Sequence, residues 1–260
     1  MRVGLRGSKP EAMEQLKAWL PRAARPSRAN IVDGLYSLIL GGAGPRAGVK
    51  TFHILYRNAT QLARSLDLNE IRRAFDRDLS MLIGENAVDH VFVHAGVVSF
   101  GGGAILVPGK SFSGKTTLVR ALVDSGAVYY SDEYAVLDSR GRVFPWAEPL
   151  SIRLHGPSKA GEPHSAESLG MTIGRRALPV SLVVLTSYEA GRRFRPKRLA
   201  PGHGVLGLLE HTMSAQRNPR AALRALSSAA TKALVVSGPR GEARSTARVL
   251  RRLVHAPPAA

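Results

Sequence analysis

One stretch, residues 104–122, limits what this chain can fold into more than any other. It begins with the apolar run AILV, continues through PGKSFSG and ends in KTTLVRAL, so it contains the pattern G-x-x-x-x-G-K-T. The apolar run is typical of a buried strand, and the last segment has the apolar spacing of one helix face. A strand that enters a helix through such a loop is the arrangement of a P-loop, which binds nucleotide phosphates. The stretch therefore predicts an α/β fold with a P-loop NTPase-type core.

The residue types in this loop suit the chemistry of phosphate binding. Glycines let several backbone N–H groups point towards one anion, and the positive end of the following helix faces the same anion. Lys115 would reach the β- and γ-phosphates, and the Thr116 hydroxyl would bind Mg²⁺. The predicted nucleotide loop consists of Gly109, Lys110, Ser111, Phe112, Ser113, Gly114, Lys115, Thr116 and Thr117. The alternative is a glycine-rich turn without a ligand, which the flanking strand and helix disfavour.

The composition excludes several other classes of protein. The chain has no cysteine, which rules out disulfides and thiolate metal sites. Charged residues interrupt residues 1–20, and no run reaches the roughly 18 to 20 apolar residues of a membrane span. We therefore expect a soluble cytoplasmic protein without a membrane partner.

The net charge of +18 has two interpretations. One is a surface that binds a polyanion, and the other is a set of solvated arginine-rich faces. The densest basic run is GRRFRPKR at residues 191–198. No aromatic stripe, zinc spacing or recognition-helix pattern supports nucleic-acid binding. The same charge would suit ATP or an acidic substrate.

The segments before the P-loop predict a separate small α+β module over residues 1–86. RVGLRG, IVDGLYSLIL and KTFHILYR have the composition of strands, and PEAMEQLKAWL reads as a helix. A second helix is predicted from an apolar face formed by Leu68, Ile71, Phe75, Leu79 and Leu82. The P-loop domain would then cover residues 87–254, followed by a frayed tail at 255–260.

The position of the acidic residues narrows the type of P-loop protein. The apolar strand PVSLVVLTSY ends without the Asp that follows many second P-loop strands. Instead Asp132 and Glu133 come early, in the strand-like run AVYYSDEYAVLD directly after the P-loop helix. A carboxylate at the end of a strand beside a P-loop is placed to orient a nucleophile. The alternative for this pair is a solvated strand end.

Residues 88–138 resemble the catalytic core of HPr kinase/phosphorylase and its HPr-kinase-like relatives. The resemblance lies in VHAGVV followed by AILVPGKSFSGKTTLVRALVDSGAVYYSDEYAVLD. It implies that residues 109–117 bind ATP, that Asp132 is the general base, and that Glu133 helps to hold Mg²⁺. It also implies that His94 contacts and tunes that base. Two departures are visible: Glu133 stands where the family usually has Asp, and the glycine-rich signature linked to phosphorolysis is missing.

The resemblance implies a kinase that transfers the γ-phosphate of ATP to a hydroxyl, with serine of a protein or peptide as the expected acceptor. A small-molecule kinase of the same fold is one alternative, and a nucleotide-binding or nucleic-acid-associated ATPase is another. A third is a nucleotide-binding module without activity. The polar segment 155–177 is interpreted as a loop that could clamp the acceptor, and Arg153 as a basic residue near the transferred phosphate. Members of the family form oligomers, so a homo-oligomer is an open alternative.

Overall fold

The chain is mixed α/β and forms two compact units. The computed structural model describes residues 1–21, 24–43, 50–110, 113–146, 150–152, 162–164, 166, 169–213 and 215–255. Unit 1 is Met1–Asn86 and unit 2 is Ala87–Ala260. In the described ranges, no helix has both the length and the apolar character needed to cross a bilayer.

Unit 1 is a four-stranded sheet with two helices packed against it. The sheet order is β1 (Val3–Gly7), β2 (Gly34–Ile39), β5 (His53–Arg57) and β6 (Thr60–Ser65). The short strands β3 (Gly42–Ala43) and β4 (Lys50–Thr51) pair with each other. The helices are α1 (Pro10–Trp19) and α2 (Leu68–Asn86). Each strand and helix expected in this module is present, and the sheet also contains β6, which the sequence did not predict. Four of the five expected apolar residues of α2 are buried, whereas Leu68 in its first turn is half-buried.

Unit 2 is built on an eight-stranded sheet. Its strands are β7 (Val91–Phe100), β8 (Gly103–Pro108), β9 (Val128–Ser131), β10 (Tyr134–Leu137), β11 (Arg142–Phe144), β14 (Leu178–Leu185), β15 (Lys197–Leu199) and β16 (Leu234–Ser237); β12 (Leu150–Ile152) and β13 (Glu162–His164) form a separate pair. The order is β11-β10-β7-β8-β14-β16-β15, and β9 also pairs with β7. Strands β8, β14 and β16 are mutually parallel. Their carboxyl ends therefore meet at one edge of the sheet, which is where α/β sheets bind ligands.

Helices cover both faces of this sheet. They are α3 (Lys115–Asp124), α4 (Pro201–Leu209), α5 (Pro219–Lys232) and α6 (Ala243–His255). Residues of α3 and α6 belong to one buried apolar cluster, and residues of α4 and α5 belong to another. Because both faces are covered, the central strands are apolar along their whole length, as AILV and LVVL are.

Two sequence predictions need comment at this level. Of the predicted frayed tail at 255–260, His255 is the last residue of α6, and residues 256–260 lie outside the described ranges. Arg153 and most of the expected loop at 155–177 also lie outside them. The described end of that segment is not simply loop, since Ile173 forms a parallel bridge with Tyr129.

Candidate functional site

The loop between β8 and α3 needs glycine at both glycine positions of the motif. Gly114 has φ +79°, in the left-handed region, and directly precedes the first residue of α3. At Gly109, a Cβ atom would lie 2.9 Å from the Oγ of Ser113, so the loop closes tightly on itself. The backbone N–H of Ser113 donates to the carbonyl of Lys110 across the loop. Ser111 and Phe112, both predicted to belong to the nucleotide loop, lie outside the described residues.

Lys115 is held inside this loop by its own backbone. The side chain is 7% exposed, and Nζ donates to the carbonyl oxygens of Gly109 and Lys110, each at 2.8 Å. Burial lowers the pKa of Lys115, whereas the nearby carboxylates of Glu133 and Asp132 raise it. The ammonium is thus fixed between the loop and the two predicted acids.

Asp132 lies at the break between β9 and β10. The hydroxyl of Ser131 accepts hydrogen bonds from the backbone N–H groups of Glu133 and Tyr134, which turns the chain at the acidic pair. Asp132 is 7% exposed, and burial raises its pKa to about 6, against the lowering effect of a hydrogen bond with the Thr116 side chain. Among the described residues, its Oδ1 has no hydrogen-bond partner. A buried carboxylate oxygen without a partner is rare and calls for an explanation.

His94 and Glu133 form a second pair beside Asp132. Strands β7 and β10 are antiparallel with His94 opposite Tyr134, which places the imidazole next to residue 133. The Nε2 of His94 lies 3.0 Å from Oε2 of Glu133. The resemblance implied a contact between His94 and the base Asp132; the hydrogen bond instead joins His94 to the second acid. The charge of His94 still lowers the pKa of Asp132, so all three residues share one electrostatic environment.

The donor set fits Mg²⁺ bound together with a nucleotide. Mg²⁺ takes oxygen ligands and is usually held by one or two carboxylates together with substrate phosphates and water. No group of three or more His, Asp or Glu side chains within the described ranges could hold a metal ion on its own. Thr116 lies in the first turn of α3 and its side chain lowers the pKa of Asp132, so the predicted hydroxyl ligand is close to the acidic pair. Glu133, the predicted metal ligand, is adjacent but paired with His94.

Sequence reasoning missed an arginine that supports the loop. Arg240, in the turn after β16, is 2% exposed, and its Nη2 donates to the carbonyl oxygens of Ser113 and Gly114, both at 3.0 Å. A Cβ on Gly114 would lie 2.8 Å from that same Nη2, which is a second reason for glycine there. Burial lowers the pKa of Arg240. The only local signal was an arginine in SGPRGE, a glycine-containing turn directly after an apolar strand.

A histidine near the loop was also missed. The backbone N–H of His94 donates to the carbonyl of His211 at 2.7 Å, next to the end of α4. Burial lowers the pKa of His211 and Glu210 raises it, while the positive charges of His94, Lys115 and Lys110 lower it further. His211 therefore belongs to the surroundings of the site, although nothing in the local sequence indicates this.

The structure thus brings together Lys115, Thr116, Asp132, Glu133 and His94, which the sequence places in three separate segments. A scan of protein-family models finds no family that matches this chain, and a search of curated proteins finds no match either.

Proposed function

We propose that unit 2 is an HPr-kinase-like P-loop phosphotransferase. It would use ATP and Mg²⁺ to phosphorylate a hydroxyl group, and its acceptor would be a serine on an acidic protein or peptide. The observation that supports this most directly is Asp132, a buried carboxylate with one unpartnered oxygen among the described residues, hydrogen-bonded to the residue after Lys115. This is what a kinase base requires: an acceptor for one proton, next to the phosphates and shielded from water.

The loop and α3 supply what the phosphates need. An ammonium group has three donors, and the Lys115 ammonium donates to a pair of loop carbonyls among the described residues. Its third donor would bind a phosphate oxygen, and the N-terminus of α3 would add its positive partial charge. When bound, Mg²⁺ would neutralise charge on the β- and γ-phosphates, held from the protein side by Thr116 and Glu133.

The proton transfer is assigned to Asp132. Its carboxylate would accept the proton of the acceptor hydroxyl while the hydroxyl oxygen bonds to the γ-phosphorus and the bond from that phosphorus to the bridging oxygen breaks, releasing ADP. Burial raises the pKa of Asp132 to about 6, which is suitable for a base that works near neutral pH and gives the proton up afterwards. The hydrogen bond with His94 would hold the second carboxylate, that of Glu133, in position.

The exposed basic residues favour an anionic acceptor. The loop after β14 exposes Arg192, Arg193 and Arg195, and the first turn of α6 exposes Arg244. The loop after β14 and the start of α6 lie at the same sheet edge as the P-loop, since they follow parallel strands. Positive potential at this edge would attract an acidic segment and increase its rate of association.

The test is transfer of labelled γ-phosphate from ATP–Mg²⁺ to serine peptides with acidic flanks. We expect transfer by the wild type, loss of at least about 100-fold in Asp132→Asn, in line with the contribution of a general base, and loss of ATP binding in Lys115→Ala. Asp138→Asn is the matched control. It makes the same substitution at a carboxylate outside the loop, which accepts hydrogen bonds from Arg140 and Arg142.

Three outcomes would contradict the proposal in different ways. Undiminished transfer by Asp132→Asn would remove the assigned base. Transfer to a hydroxylated metabolite but to no peptide would indicate the small-molecule alternative. ATP hydrolysis that depends on DNA or RNA and falls steeply with salt would indicate the nucleic-acid alternative.

A further inference from the structure

Unit 2 exposes one aromatic side chain at the edge where the P-loop lies. Tyr188 follows the end of β14 by three residues and is 52% exposed. Every other Phe, Tyr or Trp side chain of unit 2 in the described ranges is buried or half-buried. Because β14 is parallel to β8, the loop that carries Tyr188 leaves the sheet on the same edge as the P-loop.

The backbone fixes Tyr188 next to Arg240. The N–H of Arg240 donates to the carbonyl of Ser187 at 2.9 Å, and the N–H of Glu189 donates to the carbonyl of Arg240 at 2.8 Å. The Thr186 hydroxyl donates to the carbonyl of Gly238 at 2.8 Å, which joins the same two loops again. The position of the ring therefore depends on an ordered pair of loops.

Arg240 also links this ring to the P-loop. Its guanidinium carbon lies 5.6 Å from the centroid of Tyr188, and its Nη2 lies 3.0 Å from the carbonyl oxygens of Ser113 and Gly114. A C–N bond of about 1.33 Å joins the guanidinium carbon to Nη2. This bond and the two distances together put the ring centroid no more than about 10 Å from those oxygens. A ribose and its phosphates can span that distance, so a nucleotide held by the P-loop can place its base at this ring.

We propose that Tyr188, supported by Arg240, forms the nucleobase subsite of the P-loop, where the exposed ring stacks on the base. This inference rests on the proposed nucleotide site and adds to it the place where the base binds. Stacking on an aromatic ring uses the π-face common to all bases, so the subsite would raise affinity without strong selection between adenine and guanine. Arg240 would act as a positioning residue, since it joins the ring to the loop that binds the phosphates.

The test compares ATP with tripolyphosphate, which has the same phosphates and no base. Isothermal titration in the presence of Mg²⁺ gives the Kd of each for the wild type, Tyr188→Phe and Tyr188→Ala. We expect Tyr188→Ala to raise the Kd for ATP about 5- to 100-fold, to raise that for GTP similarly, and to leave that for tripolyphosphate unchanged. Tyr188→Phe, which keeps the ring, should bind ATP like the wild type. Phe52→Ala is the matched control, because Phe52 is an exposed aromatic in unit 1 with the guanidinium of Arg64 3.9 Å from its ring.

The outcomes separate this inference from the proposed function. If the wild type binds neither ATP nor tripolyphosphate, the nucleotide site itself is wrong. If the wild type binds both and Tyr188→Ala binds ATP as tightly, the site stands and the subsite is refuted. Equal weakening of ATP and tripolyphosphate would also refute the subsite, because it would mean that the substitution disturbs the phosphate loop.

Discussion

Replacing Asp132 with Asn should make unit 2 more stable at neutral pH. Burial raises the pKa of Asp132 from its ordinary value of 3.8 to about 6. Because the folded-state pKa exceeds the unfolded-state value, the folded protein binds more protons between these two values, and wild-type stability falls as pH rises through them. Above about pH 6 the folded state bears the whole cost of an ionised, buried carboxylate, which Asn at the same position would not bear.

The size of the effect follows from the pKa. A difference of about 2 between the folded and unfolded pKa corresponds to about 3 kcal/mol at pH 7, since each pKa unit is worth 1.36 kcal/mol. Roughly half of this difference develops between pH 5 and pH 8 according to the linkage relation. Asn is close to Asp in shape and can still accept the hydrogen bond from Thr116, so the fold should otherwise be kept.

The assay uses the two tryptophans of the chain, one in each unit. Trp19 belongs to unit 1 and Trp146 to unit 2, where it packs edge-on against Phe92. In a Trp19→Phe background, tryptophan fluorescence during urea unfolding reports unit 2 alone. The free energy of unfolding is then measured with Asp and with Asn at position 132, at pH 5, 6, 7 and 8. Only the difference between the two proteins at each pH is compared, so other titrating groups largely cancel.

A control with the opposite sign is available at Asp138. Burial alone would raise the pKa of Asp138, but hydrogen bonds from Arg142 and Arg140 outweigh it and lower the pKa. Asp138→Asn should therefore destabilise unit 2 at neutral pH, and this loss should shrink as pH falls. Two results would contradict this reasoning: a destabilising effect of Asp132→Asn at pH 8, or an effect that does not grow between pH 5 and pH 8. Either would mean that Asp132 is not a buried carboxylate that is charged at neutral pH, which the proposed base has to be.

Two further predictions concern packing and turnover. A Cβ at Gly96 would lie 2.5 Å from Cγ2 of Val119. Gly96→Ala should therefore destabilise unit 2 by about 1–3 kcal/mol in urea unfolding. The double variant Gly96→Ala/Val119→Ala should lose less free energy of unfolding than the sum of the two single losses. Given the raised pKa of Asp132, the log of kcat/KM should decline with a slope of one below about pH 6, because the base must be ionised to accept a proton; a profile that is flat down to pH 4.5 would contradict the assignment.

The local features of the fold could be predicted because their signals are contiguous. The run from β8 through the loop to α3 occupies neighbouring residues, and the periodicity of α2 is complete within one helix. The edge strand β6 gave no such signal, because TQLARS alternates too weakly to be recognised as a strand. The arrangement of β9 and β10 on the same neighbour, β7, also depends on contacts between distant residues, which no local pattern records.

The candidate site shows the same division between local and distant information. The residue types of the loop and the acidic pair were visible, but their partners depend on the tertiary fold. His94 and Glu133 are 39 positions apart, and the pairing between them is fixed by the register of β7 with β10. A resemblance to a family pointed to His94 but assigned it to Asp132 rather than to the neighbouring acid.

Arg240 explains why the sequence alone underestimates this site. It lies 126 positions from Gly114, and it reaches the loop between β8 and α3 because β16 is parallel to β14, which is parallel to β8. A buried arginine has to be hydrogen-bonded to be tolerated, and here two of its acceptors are carbonyl oxygens of the loop, in the residues directly before α3. The same parallel order that gathers the ends of the strands thus gives the loop between β8 and α3 a charged support from two strands away in the sheet, and it places Tyr188 beside that support. The motif between β8 and α3 therefore describes only part of the proposed nucleotide site, because the residues proposed to receive the rest of the nucleotide lie in the loops after the neighbouring parallel strands.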